Sequence, residues 1–498
     1  SGGGGRFKFE GGIPGSVNIK KVVGGVSPKG IPISRHSKFY EKDAPNLFAR
    51  DGYPAKRPWT PFNRDWLYHD LIPSIADGYP YPIDTLITYW NALPYATPAQ
   101  REVFERTVAD PEKIKLFVAF DVVIGETSRW ADYILPDSTS IERWGSPADA
   151  SPAVTTKVGN FRKPVVGSYI TVEINGKERK FYVPTFARGN VALDAWREKG
   201  EVSGNWPEAE GPQLAEDVFI ALAVRLGIPG VGRNTFDLTG AKEGLDWRAD
   251  LYSAWDYYLN VLNNLSVDSG VPPEEILEKG GVFAPLDREP KDPAARYDGP
   301  YLKSQFKGLL HFYIEALAIA KDSMTGRPYD PLPGVHPVTD ALGREVDDGE
   351  EYPFAVVTYK DAYHGQARTV QNSWLRLIKP ENFIEMNRTD GQRLGIRDGD
   401  WVKLTAPGGA SVEGRVKLME GVRPGVIAVS HHYGHWASGA ETVKVNGQTV
   451  PGDSARALGV QSNLVGRLDP HLGNVCLMDK IGGSAAFFDA RVRVEKAS

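Results

Sequence analysis

Apolar and polar positions fall into three textures along the chain. Between residues 81 and about 140, short apolar runs flank a helical pattern. Residues 85–90 predict a strand ending at Asn91, Pro94 and Pro98 lie in a turn, and 99–109 predict a helix. The β-rich run 114–120, interrupted only by Lys115, predicts a buried parallel strand. Strand, helix and strand in that order imply a right-handed parallel crossover. Asn91 and Asp121 then stand at equivalent carboxyl ends of neighbouring strands, the edge at which open α/β sheets hold ligands. The polar stretch beginning there gathers Asp121, Glu126, Thr127 and Asp132 into a candidate small-molecule site.

From about 141 to 335 the texture changes. Residues 169–174 and 178–183 flank Asn175-Gly176, a hairpin signal. Residues 213–226 place Leu214, Val218, Leu222 and Leu226 at helical spacing and stop at Gly227. A second helix is predicted over 247–265, and Pro272-Pro273-Glu274-Glu275 suits the start of a third. After the Pro-rich stretch 330–337, short strands are predicted at 354–359, 401–405, 411–418, 426–430 and 491–495, punctuated by Asp398-Gly399, Pro407-Gly408-Gly409 and Pro424-Gly425. Such spacing predicts a compact β-barrel. Residues 1–80, rich in Gly, Pro and aromatics, read as irregular chain packed on the body, with Trp59, Phe62, Trp66 and Tyr68 expected to be buried. The expected architecture is α/β: an N-terminal segment 1–80, a parallel-sheet lobe 81–140, a mixed α+β lobe 141–335 and a six-stranded type of β-barrel at 336–498.

The chain has 498 residues, 41% of them apolar, with 12 Trp, enough for several cores. Net charge is −5 and no Lys/Arg block stands out, which argues against nucleic acid as a partner. No run approaches the roughly 18 apolar residues of a membrane span. The opening Ser-Gly-Gly-Gly-Gly lacks the charged and apolar regions of a signal peptide. One cysteine, Cys476, excludes an internal disulfide and any Cys-rich metal site made by this chain alone, and is expected to be a small buried hydrophobe. Gly-x-Ser-x-Gly, His-Glu-x-x-His and a P-loop ending in Gly-Lys-Ser/Thr are all absent.

Two loops carry concentrated polarity. Tyr363-His364-Gly365-Gln366-Ala367-Arg368-Thr369 follows a strand, and His364, Gln366, Arg368 and Thr369 suit an anionic or heteroaromatic ligand, with Arg forking onto phosphate. From the residues alone a solvated loop is the competing reading. In His431-His432-Tyr433-Gly434-His435-Trp436 no carboxylate or cysteine is close in sequence. On a strand His431 and His435 would face one way and His432 the other, which disfavours a single metal site. Asp398-Gly399-Asp400 reads as an architectural turn.

The stretch 121–136 (Asp, then Glu-Thr, Ala-Asp and Leu-Pro) resembles a segment of the molybdopterin oxidoreductases, the dimethyl sulfoxide reductase superfamily. The series Asn382-Phe-Ile-Glu-Met-Asn387, Asp390, Leu394-Gly-Ile, Asp398-Gly-Asp400 and Val402 resembles that family's C-terminal dinucleotide-binding barrel. Gly434-His435-Trp436-Ala437 and the run from Leu468 to Asp489 are similar to the tetrathionate and respiratory arsenate reductase branch. The resemblance extends from about Tyr79 to the C-terminus and is weak over 150–335.

The resemblance implies a cofactor, bis(molybdopterin guanine dinucleotide) with molybdenum or tungsten, touched by the 363–369 loop and by His432, Asn463 and Phe488. It also implies a [4Fe-4S] cluster in an N-terminal domain. Neither that cysteine cluster nor the segment carrying the metal's protein ligand occurs here, so the chain resembles the C-terminal half to two-thirds of a catalytic subunit. The implied activity is two-electron reduction of a small oxyanion, tetrathionate first, with arsenate or polysulfide/thiosulfate as alternatives. Two partners are implied, a membrane-anchor subunit plus an iron–sulfur electron-transfer subunit, together with an extracytoplasmic location. A different class stays open, a non-catalytic structural or electron-transfer subunit with the same fold. The polar set His364, Gln366, Arg368, Asn463 and Asp132 discriminates, because a relic gains nothing by burying such groups without a ligand.

Overall fold

The computed structural model describes residues 25–26, 32–33, 54–58, 67–79, 81–145, 156–184, 188–238, 241–285, 312–346 and 348–497, with the backbone alone at 25–26, 32–33, 156–158, 268, 283–285, 367 and 368. Contacts divide it into two compact units, 1–44 with 136–311 and 45–135 with 312–498. The sequence-based division sets the α/β segment and the barrel apart, whereas by contacts both belong to one unit. The expected burial of Trp59, Phe62 and Trp66 lies outside the described residues. Tyr68 departs from expectation: it opens a 3-10 turn and is 39% exposed.

The α/β segment runs α1 (Leu71–Asp77), β1 (Thr85–Tyr89), α2 (Leu93–Ala96), α3 (Arg101–Val108), β2 (Leu116–Asp121) and β3 (Tyr133–Pro136). β1 and β2 pair in parallel, Thr85 with Leu116 through Tyr89 with Phe120, as the strand–helix–strand order predicts. β3, absent from the sequence reading, completes the sheet order β1-β2-β3. Ile72, Ile75, Leu86, Val103, Phe104, Phe117 and Ala119 form the core beneath the sheet. The expectation that 114–120 is buried throughout holds for Phe117, Ala119 and Phe120, while Leu116 and Val118 are half-buried and Ile87 on β1 is 47% exposed. The helices of this segment cover one face of the sheet, and alternation puts the other residues outward.

The unit containing 136–311 holds β4 (Thr156–Asn160), β5 (Ser168–Ile174), β6 (Lys177–Val183), α4 (Val191–Glu198), β7 (Val202–Ser203), α5 (Ala215–Leu226), α6 (Ala254–Ser269), α7 (Pro273–Lys279) and β8 (Gly281–Pro285). Asn175 and Gly176 turn the β5–β6 hairpin with φ of 55° and 73°, the left-handed pair such a tight turn needs. α6 begins seven residues later than the 247–265 reading, because Ser253 and Asp256 form a capping box there. Of the stripe predicted for α5, Leu214 is buried and Val218 half-buried, but Leu222 and Leu226 are 38% and 40% exposed. Asp217, Ile220, Ala221 and Val224 face the core instead, because buried Asp217 accepts from Asn190 Nδ2 and from the Ala254 N–H.

The barrel consists of β9 (Phe354–Tyr359), β10 (Ile384–Asn387), β11 (Trp401–Thr405), β12 (Ser411–Met419), β13 (Val426–Ser430) and β14 (Ala490–Lys496). It closes in the order β9-β13-β10-β12-β11-β14. Five of these strands match the predicted ones closely. β10, four residues long and bounded by the buried asparagines Asn382 and Asn387, carried too short a pattern to be read. Val356, Ile384, Met386, Val402, Leu404, Val416, Ile427, Val429 and Val492 fill the interior. Asn382 ties the barrel to a distant loop, donating to the carbonyls of Ser430 and Val460 and accepting from the Val460 N–H. Gly399, with φ of 85°, turns the Asp398-Gly399-Asp400 corner, where Asp398 accepts from the Leu418 N–H.

Candidate functional site

At the carboxyl edge of the parallel sheet, each expected residue has a partner within the chain. Asn91 Oδ1 accepts from the Leu93 N–H at 2.8 Å and from Thr127 Oγ1 at 3.4 Å. Asp121 accepts from the Val122 N–H at 2.9 Å and from Ser128 Oγ at 2.8 Å. Burial raises the pKa of Asp121 against those hydrogen bonds, and the nearby Glu126 charge adds to the rise. Thr127 and Glu126 are buried.

On the barrel side, the loop after β9 is set by one directed chain. The Gly365 N–H donates to Thr369 Oγ1 at 2.8 Å, and that oxygen lies 3.2 Å from His364 Nδ1. His364 Nε2 lies 2.7 Å from the Tyr433 hydroxyl, which itself donates to the Lys379 carbonyl at 3.0 Å. A hydroxyl that donates to Lys379 must accept from His364, so His364 carries its proton on Nε2 and accepts from Thr369 at Nδ1. Burial lowers the His364 pKa, in keeping with this neutral tautomer. His364 and Thr369 thus shape the loop. Gln366 is exposed at φ of 60° and accepts from His431 Nε2 at 3.2 Å. The Arg368 side chain lies outside the described residues.

β13 ends at Ser430, so 431–436 is a loop and not the strand on which His431 and His435 would share a face. His432, buried at φ of 143°, accepts from the Asp361 N–H at 3.2 Å, and burial followed by its neighbour His431 pushes its pKa down to about 4. Among the described residues, no group of three or more His, Cys, Asp or Glu is placed to hold a metal ion.

The sheet edge and the barrel loops meet within their unit at a contact the sequence did not reveal. Glu126, 2% exposed, takes His435 Nδ1 at 2.8 Å and the Ala437 N–H at 3.1 Å on one oxygen and Ser438 Oγ at 2.9 Å on the other. Burial raises the Glu126 pKa, but the hydrogen bonds it accepts, that from His435 first and that from Ser438 after it, help hold the carboxyl below its ordinary value. The His435 ring stacks on Tyr95 with centroids 4.1 Å apart and planes within 1°. The Tyr95 hydroxyl donates to the Tyr433 carbonyl at 2.8 Å. Gly434, at φ of 72°, permits this turn, since a Cβ there would lie 2.5 Å from the Gln461 nitrogen. Asn463 donates to the carbonyls of Tyr95 and Ala96 at 3.1 and 3.0 Å, so it caps the end of α2.

Two expected residues stand apart from this cluster. Asp132 accepts from the Phe117 N–H at 2.8 Å, at the amino end of β2 and not its carboxyl edge. Phe488 is 62% exposed, unlike the buried Glu126 and His435. Asp132 and Asn463 are both satisfied by backbone, so neither separates a cofactor binder from a relic. Residues missed as site residues are Tyr95, Tyr433, His435 and Ser438. The His-rich run marked two of them, Tyr433 and His435, as unusual but not which ring nitrogen was in use.

Several buried polar atoms at this junction have no hydrogen-bond partner: Thr97 Oγ1, His435 Nε2, Gln461 Nε2 and Ser462 Oγ. Leaving such atoms unpaired costs about 1–3 kcal/mol each. Trp90, Ala99, Gln366, His432 and Ser438 also adopt positive φ in these loops. Strain of this kind concentrates where a ligand is clamped. The donor and acceptor set fits a fused heterocycle bearing N–H and C=O groups.

Comparison with known proteins agrees. Residues 354–461 match the Molydopterin dinucleotide binding domain family. The chain is 32% identical over 95% of its length to a selenate reductase subunit of Mesobacillus selenatarsenatis, covering 45% of that protein. It is 29% identical over 94% of its length to a tetrathionate reductase subunit of Salmonella typhimurium, covering 45%. To a tetrathionate reductase subunit of Archaeoglobus fulgidus it is 27% identical over 82%, covering 38%. The chain therefore spans about half the length, or less, of these curated relatives. A closed barrel matched as a dinucleotide-binding domain, on an α/β segment shared with relatives along nearly the whole chain, places it with the molybdopterin oxidoreductases of the dimethyl sulfoxide reductase superfamily, whose cofactor is bis(molybdopterin guanine dinucleotide) with molybdenum.

Proposed function

We propose that this chain holds the dinucleotide cofactor in an enzyme that reduces tetrathionate by two electrons, S4O6(2−) + 2e(−) → 2 S2O3(2−). The observation that carries the cofactor role is the junction of sheet edge and barrel, whose loops hold several unpaired buried polar atoms and residues at positive φ. Thr97, His435, Gln461 and Ser462 would hold the heterocycles, with the 364–371 loop beside them. When bound, the molybdenum supplies the two-electron centre. The residues of this chain bind and orient the dinucleotide and exclude water around it.

The tetrathionate choice rests on similarity to two tetrathionate reductase subunits. Selenate is the second reading, favoured by the 32% identity to a selenate reductase subunit, with SeO4(2−) + 2H(+) + 2e(−) → SeO3(2−) + H2O as the reaction. Electrons would arrive from an iron–sulfur subunit with a membrane anchor, on the extracytoplasmic side. Among the described residues no helix is long and apolar enough to cross a membrane.

The test is metal and pterin analysis of the complex purified from its native source, followed by reduced-viologen assays with tetrathionate, selenate and arsenate. Molybdenum with guanine-bearing pterin and tetrathionate turnover is the expected result. Selenate or arsenate turnover without tetrathionate turnover rejects the substrate assignment, and a folded complex without pterin rejects the cofactor role.

A further inference from the structure

Glu126 is the residue a reader of the sequence would choose as a cofactor ligand, yet the chain already uses it. Three donors from this chain occupy its two oxygens, and it is 2% exposed. An ionised carboxylate can only accept, so His435 Nδ1 must donate to it. In a neutral ring this fixes the tautomer and leaves Nε2 a bare acceptor. Tyr95, stacked parallel at 4.1 Å, fixes the plane of the ring. Nε2 is buried without a partner, in a side chain 5% exposed. A protein that orients an imidazole this tightly and then leaves its second nitrogen unpaired incurs the cost of a buried unmade hydrogen bond. Gln461, whose backbone nitrogen packs against Gly434, the residue before His435, carries an unpaired donor of the opposite kind at Nε2. An acceptor and a donor together match the adjacent N–H and C=O of a cyclic amide, which pterin and guanine both carry.

We propose that His435 binds the cofactor's cyclic amide N–H through Nε2, and that Glu126 is the positioning residue that sets the ring. This rests on the cofactor role proposed above, and it replaces Glu126 by His435 as the contact.

The test compares native complexes carrying wild-type chain, E126Q and H435Q. The Glu126→Gln amide oxygen can still accept from His435 and Ala437, so this variant keeps the packing and loses the charge. Three readouts are taken: guanine-bearing pterin per chain, its release rate well below each melting temperature, and the melting temperature of cofactor-stripped protein. Release about tenfold faster in E126Q, and faster still in H435Q, is expected, the usual scale for removing an orienting carboxylate. Titration of GDP into the stripped proteins then assigns the end of the cofactor. Weakened GDP binding in H435Q places the contact on guanine, and unchanged GDP binding with faster pterin release places it on the pterin. Equal release rates in all three, with only the stripped melting temperature lowered, make the pair a structural clasp and overturn the proposal. A wild-type complex without pterin overturns the cofactor role and this inference together. If H435Q does not fold, E126Q decides alone.

Discussion

Replacing Tyr433 with Phe removes one oxygen from the centre of the barrel-side network. That hydroxyl accepts from His364 Nε2 at 2.7 Å and donates to the Lys379 carbonyl at 3.0 Å. Tyr433 is 1% and His364 3% exposed, so water cannot readily replace it. Two hydrogen bonds at about 1 kcal/mol net each, plus two buried groups left unpaired, put the loss at about 2–4 kcal/mol. His364 would also lose the bond that fixes its tautomer, and with it the acceptor that orients Thr369 and the Gly365 turn. The chain forms two units, so a single global unfolding free energy is a poor readout. Native-state hydrogen exchange at the Gly365 amide is better, since it reads the opening of this loop alone. At 1.4 kcal/mol per decade, exchange there should quicken about 30- to 1000-fold in Tyr433→Phe. An acceleration below about fivefold would refute the reasoning, because the loop would then be held by something other than the His364–Tyr433–Lys379 line.

Burial pushes the pKa of Asp217 up to about 7, opposed by its hydrogen bonds from Ala254 and Asn190. A raised folded pKa means stability fully present below the unfolded value near 4 and lost as pH rises towards 7, by at most about 4 kcal/mol. Denaturation of D217N beside the wild type, at several pH values, should show the variant gaining on it across that window; a pH-independent difference refutes this. Asp132→Ala should cost about 1–2 kcal/mol, by removing the acceptor of the Phe117 N–H, while pterin per chain stays at the wild-type level. Pterin loss at unchanged melting temperature would restore Asp132 to the site. Gly434→Ala should cost more than about 2 kcal/mol in thermal denaturation, because it adds strain at φ of 72° to a Cβ 2.5 Å from the Gln461 nitrogen. A melting temperature equal to wild type would show that the turn relaxes.

Local patterns made much of the fold legible. The short β-rich runs at 354–359, 401–405 and 426–430, punctuated by Gly/Pro turns, specified β9, β11 and β13, and Asn175-Gly176 specified its hairpin, because each rests on neighbours a few residues apart. α5 was placed but its buried face was not, since Asn190 and Ala254 pull Asp217 inward from elsewhere in the chain. β10 and β3, four residues each, exist as strands by virtue of their partners.

The same division runs through the site. From its sequence alone the protein could be assigned an α/β segment, a barrel, a polar sheet edge, a polar loop after β9 and a histidine-rich run, each a statement about adjacent residues. Which of those groups is already spent was decided only in three dimensions. Asp132 and Asn463 serve the backbone, His364 serves its own loop, and Glu126 serves a histidine 309 residues away. The physical reason is that a side chain's chemistry is set by residue type, while its availability is set by the hydrogen bonds that remain after folding. Those bonds depend on contacts that no local periodicity encodes.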